Sequence, residues 1–356
     1  MKNPNILFIL KRRDDYNPIK HSPKGLSTGL FNSATFMSDM LTKNDVESHL
    51  EVAIDNNCID RLVTLHKPTH VIIEALWVVP TKFVILTKLH PNVKWIIRLH
   101  SELPFLAGEG IAMDWIAEYS SFKNISIGVN APRMLSETRT YLQLRNNWTQ
   151  EETENRVFYM PNYYPQEYKY KEYNIDKDYI NIGCFGAIRP LKNHMVQALA
   201  AVKFAEHIGK KLRFCINEGR IEMNGSPVQS NLRDFFQELY HRGHKLIHIE
   251  WTPRQEFLKI CESMDIGLQV SFSETFNIVG ADIISQGVPL VGSLEIPWFD
   301  KTYAADAVNS DDIYKSLLLT HHWPQHNVEI NQQNLKKYTD NTEQVWLRYF
   351  LEDKTQ

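Results

Sequence analysis

Short apolar runs separated by amphipathic stretches fill the chain almost from end to end. In the first half, five runs read as buried strands: 5–10, 49–54, 70–74, 94–99 and 125–129. Helical spacing fills the gaps. The first helix is expected near 29–43, with Leu30, Ala34, Met37 and Leu41 on one face. The run Val157-Phe158-Tyr159-Met160-Pro161-Asn162 closes this half. The second half repeats the pattern, with strands expected at 179–184, 212–217, 245–250, 266–270 and 288–292. Helices are expected near 194–208, 232–242, 254–262 and 278–286. Repeated strand–helix units imply a parallel sheet covered on both faces. The tyrosine- and charge-rich segment 163–179 has little apolar periodicity and reads as a linker. The tail 331–351 carries Leu335, Tyr338, Val345, Trp346 and Phe350 at the spacing of a long amphipathic helix.

The chain has 356 residues, which suits two domains better than one. The expected division is 1–165, 166–330 and a terminal helix over 331–356. At 43% hydrophobic and 11% aromatic residues, the composition supports two packed cores. No uncharged apolar run reaches the roughly 18 residues a membrane span needs. The run Ile6–Leu10 is followed at once by Lys11-Arg12-Arg13-Asp14-Asp15, which fits a first core strand and not a secretory leader. Cys58, Cys184, Cys215 and Cys261 are far apart and lie within expected helices or strands, as small core residues of a reducing cytoplasm do. A net charge of −3 gives no general case for a polyanionic partner.

Candidate chemistry concentrates in the stretch Ser271-Phe272-Ser273-Glu274-Thr275-Phe276-Asn277-Ile278-Val279-Gly280-Ala281-Asp282. It joins an expected buried strand to an expected helix. Free N–H groups at a helix start bind phosphate. An acid in the following turns can hydrogen-bond a ribose. Together these features make a socket for a nucleoside diphosphate. The plain alternative is an ordinary strand–loop–helix with two surface acids.

These residues resemble the retaining, two-Rossmann-domain (GT-B) glycosyltransferases. The matching positions are Ser271, Glu274, Phe276, Asp282, Gly287, Pro289 and Val291; Thr275 stands where the pattern has glycine, and Asp282 where it has glutamate. The resemblance implies an α/β fold of two Rossmann-like domains facing across a cleft. It implies transfer of a hexosyl or pentosyl group from a nucleotide sugar, with retention; with Arg, Lys and a helix start to carry the phosphate charge, a bound metal is not required. In those terms Glu274 holds sugar hydroxyls, Asp282 holds the ribose, and the amides of Phe276, Asn277 and Ile278 hold sugar and diphosphate.

Three other segments add candidates. In Gly183-Cys184-Phe185-Gly186-Ala187-Ile188-Arg189-Pro190-Leu191-Lys192-Asn193-His194, Gly186 permits close backbone approach, and Arg189 and Lys192 offer cations for phosphate oxygens. The alternative is a solvated basic loop capping a helix. His100 lies just past an expected strand end, where the resemblance places a donor-sugar contact, with Glu102 close enough in sequence to orient it; the alternative is a core histidine. Gly25 and Gly29 flank an expected helix start. The same long loop carries Lys11, Arg12, Arg13, Lys20, His21 and Lys24. It reads either as an anion-binding surface, as modified DNA or a phosphorylated acceptor requires, or as a solvated loop. No His or Cys set shows metal-ligand spacing.

The function expected from these residues is glycosyl transfer from a nucleotide sugar to a carbohydrate, lipid or modified-DNA hydroxyl. The alternatives are a phage-type DNA-modifying glycosyltransferase acting on hydroxymethylated bases, a nucleotide-sugar epimerase, and a non-catalytic sugar-nucleotide binding protein.

Overall fold

The computed structural model describes residues 3–12, 29–173, 176 and 178–352. These form two compact units, the first from 3–12, 29–165 and 339–352, the second from the described residues of 166–338.

The first unit holds six strands: β1 (Asn5–Lys11), β2 (Glu47–Ala53), β3 (His70–Glu74), β4 (Lys94–Leu99), β5 (Ile125–Val129) and β6 (Val157–Tyr159). They lie in the order β2-β1-β3-β4-β5-β6, all parallel. The unbroken apolar run of β1 follows from burial on both faces. Leu7 and Ile9 enter one core with Ile59, Phe83, Trp95 and Ile116. Ile6 and Phe8 point the other way, into a core with Met37, Met40, Trp346 and Phe350. The end of the chain thus closes one face of the first sheet.

The second unit holds β7 (Tyr179–Gly183), β8 (Lys211–Asn217), β9 (Lys245–Ile249), β10 (Ile266–Gln269), β11 (Leu290–Ser293) and β12 (Ala304–Ala305). Their order is β12-β11-β10-β7-β8-β9, again all parallel. This is the Rossmann order, with the direction of winding reversing between β7 and β10. The two-residue β12 is too short to leave an apolar run in the sequence. The last α-helix, Pro324–Leu347, starts seven residues before the expected tail. Its first turns are polar, and proline is at home at a helix start.

The segment expected as a linker has no regular structure over its described residues before Tyr179, which opens β7, and residues 169–173 are tied down. The Lys169 amide donates to the Ser285 carbonyl at 2.7 Å. The Tyr173 hydroxyl donates to the Gly287 carbonyl at 2.7 Å. Lys171 Nζ donates to the carbonyls of Glu262 and Met264 at 2.7 and 2.6 Å. The missing periodicity marks irregular backbone satisfied by specific hydrogen bonds, not a free tether.

Candidate functional site

In an open parallel sheet, ligands bind at the carboxyl ends of the strands, where the winding direction reverses. In the second unit that point lies between β7 and β10. Lys192 comes from the loop after β7 and Glu274 from the loop after β10. Lys192 Nζ lies 2.5 Å from Glu274 Oε1, with side chains 11% and 8% exposed. A polar lacing holds the two loops together. The Phe272 amide donates to the Leu191 carbonyl at 2.9 Å. Asn193, at φ 57°, sends its Nδ2 to the carbonyls of Val270 (3.1 Å) and Ala307 (2.7 Å). Gln197 Oε1 accepts the Val270 amide at 2.8 Å, and its Nε2 donates to the Lys192 carbonyl at 2.8 Å. A buried, satisfied network of this kind fixes geometry. Gly186 joins it at φ +119°, a conformation that favours glycine. Its amide donates to Asn217 Oδ1 at 2.8 Å.

The helix Ile278–Ser285 starts beside this pair. Asn277, at φ 61°, caps it by accepting the Gly280 amide on Oδ1 at 2.7 Å. Asn277 Nδ2 in turn donates to Gln269 Oε1 at 3.1 Å. The Gly280 amide is therefore consumed by the cap. Those of Ile278 and Val279 have no partner among the described residues. The Phe276 ring is buried between Trp298 and Tyr338, and its carbonyl accepts Trp298 Nε1 at 2.7 Å. The side chains of Phe276 and Asn277 are thus structural. Asp282 is buried one turn further on and forms an ion pair with Arg254.

Arg189 is engaged elsewhere. Its NH1 lies 3.3 Å from Glu222, which also pairs with Arg220 at 2.6 Å. The structure thus joins Lys192, and not Arg189, to Glu274. His194, at the start of the helix His194–His207, is 1% exposed, and neither ring nitrogen has a hydrogen-bond partner. Burial, reinforced by the Lys192 and Arg189 charges, pushes its pKa down to about 3, so the ring is neutral at ordinary pH.

The first unit assembles a different kind of cluster. His100 Nε2 is bonded to Glu74, the last residue of β3, and Glu74 also accepts from Arg98 NH1 at 3.2 and 3.3 Å. Arg98 further donates to the Met160 and Pro161 carbonyls, each at 3.2 Å, and to Asn162 Oδ1 at 2.5 Å. Its guanidinium sits 5.1 Å from the centre of the Trp346 ring. Burial alone would raise the Glu74 carboxyl; Arg98 and His100 more than reverse this and leave it below its usual range. Burial lowers His100 despite the pull of Glu74. The partner expected for His100 is corrected here: Glu102 pairs with Arg133, and Glu74 orients the histidine. Gly29 is the first residue of the helix Gly29–Lys43. The loop candidates Arg13, Lys20, His21, Lys24 and Gly25 lie outside the described residues.

Sequence reasoning missed Glu74, Arg254 and Asn217. Glu74 and Asn217 each end a buried strand, the same positional signal that singled out His100. Arg254 opens a helix 28 positions before Asp282, and nothing local marks that pairing. Among the described residues, no three or more His, Cys, Asp or Glu side chains converge as a metal set. No helix of the described residues is long and apolar enough to cross a membrane.

No protein-family model matches this sequence, and neither does any curated protein sequence. Solved structures do match over nearly the whole chain. A sucrose-phosphate synthase from Thermosynechococcus elongatus shares 10% identity, with 98% of each chain covered and a TM-score of 0.67. A UDP-forming α,α-trehalose-phosphate synthase from Burkholderia xenovorans shares 10%, with 98% of each chain covered and a TM-score of 0.64. HepE from Anabaena, solved in complex with UDP, shares 11%, with 96% of each chain covered and a TM-score of 0.59. The two Rossmann-like units and this likeness establish the GT-B fold.

Proposed function

We propose that this protein is a glycosyltransferase moving a sugar from a nucleoside diphosphate sugar to an acceptor hydroxyl, with retention at the anomeric carbon. The observation that carries this reading is the Lys192–Glu274 pair at the winding reversal of the second unit, beside the start of the helix Ile278–Ser285. The solved structures with the same fold include enzymes whose names record sugar-phosphate synthesis and UDP formation.

In the absence of donor, Lys192 and Glu274 neutralise each other. A bound diphosphate competes for Lys192 and takes the amides of Ile278 and Val279. Glu274 is then released to accept hydrogen bonds from sugar hydroxyls. The bond between the anomeric carbon and the phosphate oxygen breaks, and its electron pair stays on the phosphate. The acceptor oxygen bonds to the same face of that carbon, and its proton passes to the departing phosphate oxygen. Lys192 acts most strongly here, because charge builds on the diphosphate as the bond opens. Asp282, held by Arg254, is the proposed ribose contact. His100 is proposed as a sugar contact of the first unit.

A thermal-shift screen over nucleoside diphosphate sugars identifies the donor, since a ligand at 100 times its dissociation constant adds about 2.7 kcal/mol. Release of nucleoside diphosphate from that donor is then followed with and without candidate acceptors. Acceptor-dependent release with a retained anomer supports the reading. Donor binding without release in the presence of any acceptor favours a binding protein, and interconversion of the donor sugar favours an epimerase.

A further inference from the structure

Beside the Lys192 loop, at the carboxyl ends of β8 and β9, the second unit carries buried polar side-chain atoms with no hydrogen-bond partner; His248 Nδ1 has Glu218 at 3.7 Å, and three others stand on the residues at and beyond the strand ends. They are Asn217 Nδ2, Trp251 Nε1 and Thr252 Oγ1. Asn217 is the last residue of β8, and Trp251 follows two residues after the end of β9. The two loops are joined by the Glu218 amide, which donates to the Ile249 carbonyl at 2.8 Å. Gly219 turns at φ +89°, and a Cβ there would stand 3.8 Å from Trp251 Cδ1. The Arg220 guanidinium lies 5.6 Å from the centre of the Trp251 ring. The same loop is stitched to the segment carrying Gly186 and Lys192. The Ile188 amide donates to the Arg220 carbonyl at 3.0 Å, and the Glu222 amide to the Ile188 carbonyl at 2.9 Å.

The chemistry of the three atoms is specific. Asn217 Oδ1 is taken by the Gly186 amide, which sets the orientation of the side-chain amide and leaves Nδ2 as a donor. The indole nitrogen of Trp251 only donates. The Thr252 hydroxyl is able to donate as well. Native proteins keep few buried donors without partners, and those they keep call for an explanation. Donors on two adjoining loops beside the Lys192 segment are explained by a ligand that brings acceptors on a flat edge.

We propose that Asn217, Trp251 and Thr252 read the base of the donor nucleotide and select a keto base, uracil or guanine, over its amino counterpart, cytosine or adenine. This inference rests on the nucleotide-sugar reading above and specifies the donor. A ring carbonyl satisfies a donor in this set, whereas an exocyclic amine there sets donor against donor. A site built to hydrogen-bond one group rejects the analogue that cannot reciprocate.

Binding of UDP, CDP, GDP and ADP to the full chain is measured by isothermal titration. The expected result is a preference of about tenfold or more within the UDP/CDP pair or the GDP/ADP pair, the size of one well-made hydrogen bond. Asn217→Asp keeps the acceptor for Gly186 and turns the free donor into an acceptor, so it narrows or inverts that ratio. Trp251→Phe keeps a ring but removes its donor, and lowers the ratio independently should the first variant fold poorly. Equal affinities within both pairs, or a ratio unchanged in both folded variants, overturn the base-reading inference while leaving a nucleotide site in place. Absence of binding by all four diphosphates overturns it together with the transferase reading.

Discussion

The two units share a parallel sheet but treat charge at its carboxyl end in opposite ways. In the first, Glu74 and Arg98 form a fully buried pair to which the partly exposed His100 is bonded. Both Glu74 and Arg98 have side chains with no exposure, and Arg98 spends its donors on one carboxylate, two carbonyls and Asn162. In the second, Lys192 and Glu274 keep slight exposure, and orphan polar atoms stand nearby on His194, Asn217, Ser271, Trp251 and Thr252. Satisfied buried charge fixes geometry, whereas buried polar atoms without partners beside a winding reversal are what the proposed donor would engage.

The largest effect that would break the comparison is on stability. Removing one member of a buried ion pair strands the other, at about 3–5 kcal/mol. Arg98→Ala should therefore lower unfolding free energy in urea by that amount, while Lys192→Ala, whose pair with Glu274 keeps slight exposure, should lower it by less. Similar losses in both variants would erase the distinction. The converse holds for turnover. Lys192→Ala should lower kcat by roughly 100-fold, with a smaller loss for Arg189→Ala, whose guanidinium serves Glu222. A rise in KM alone would remove Lys192 from the transition state.

Asp282→Asn keeps the volume but weakens a charged hydrogen bond, and should reduce donor affinity by about 1.5–3 kcal/mol in a titration. An unchanged dissociation constant would leave Asp282 as the partner of Arg254 and nothing more. A further expected effect concerns acid. His70 in the first unit is pushed down to about 4 by burial and then by Lys94, and His194 in the second to about 3. Both folded values lie below the unfolded one near 6.5. The unfolded chain binds the proton first, so stability is full above about 6.5 and is lost as pH falls towards 3. The slope is at most about 1.4 kcal/mol per pH unit for each histidine. His194→Gln should flatten this acid limb of a urea-stability profile; an unaltered limb would mean that His194 is not buried in solution.

Much of the fold is legible in the chain because both faces of each sheet are covered. Strands such as β1 and β10 are then continuous apolar runs, and their ends mark where polar side chains meet the site. His100, Lys192 and Glu274 each lie past the end of such a run. The pairings carry no such mark. Lys192 and Glu274 are 82 positions apart, and only the strand order, with β7 beside β10, brings them together. Glu74 ended an expected strand yet drew no attention, since an acid among apolar residues carries no sign of its partner. The Arg254–Asp282 pair and the Asn277 cap depend on how a helix lies on its sheet, which residue spacing does not encode.

The most direct test of the central claim is isothermal titration of the intact chain with UDP and GDP, alone and in the Lys192→Ala variant. The account predicts one site per chain for at least one of the two nucleotides. It predicts that affinity falls about tenfold or more in a variant that still unfolds cooperatively in urea, from loss of a charge-assisted contact. Binding of equal strength in a folded Lys192→Ala protein, or no binding of either nucleotide to the wild type, would contradict it.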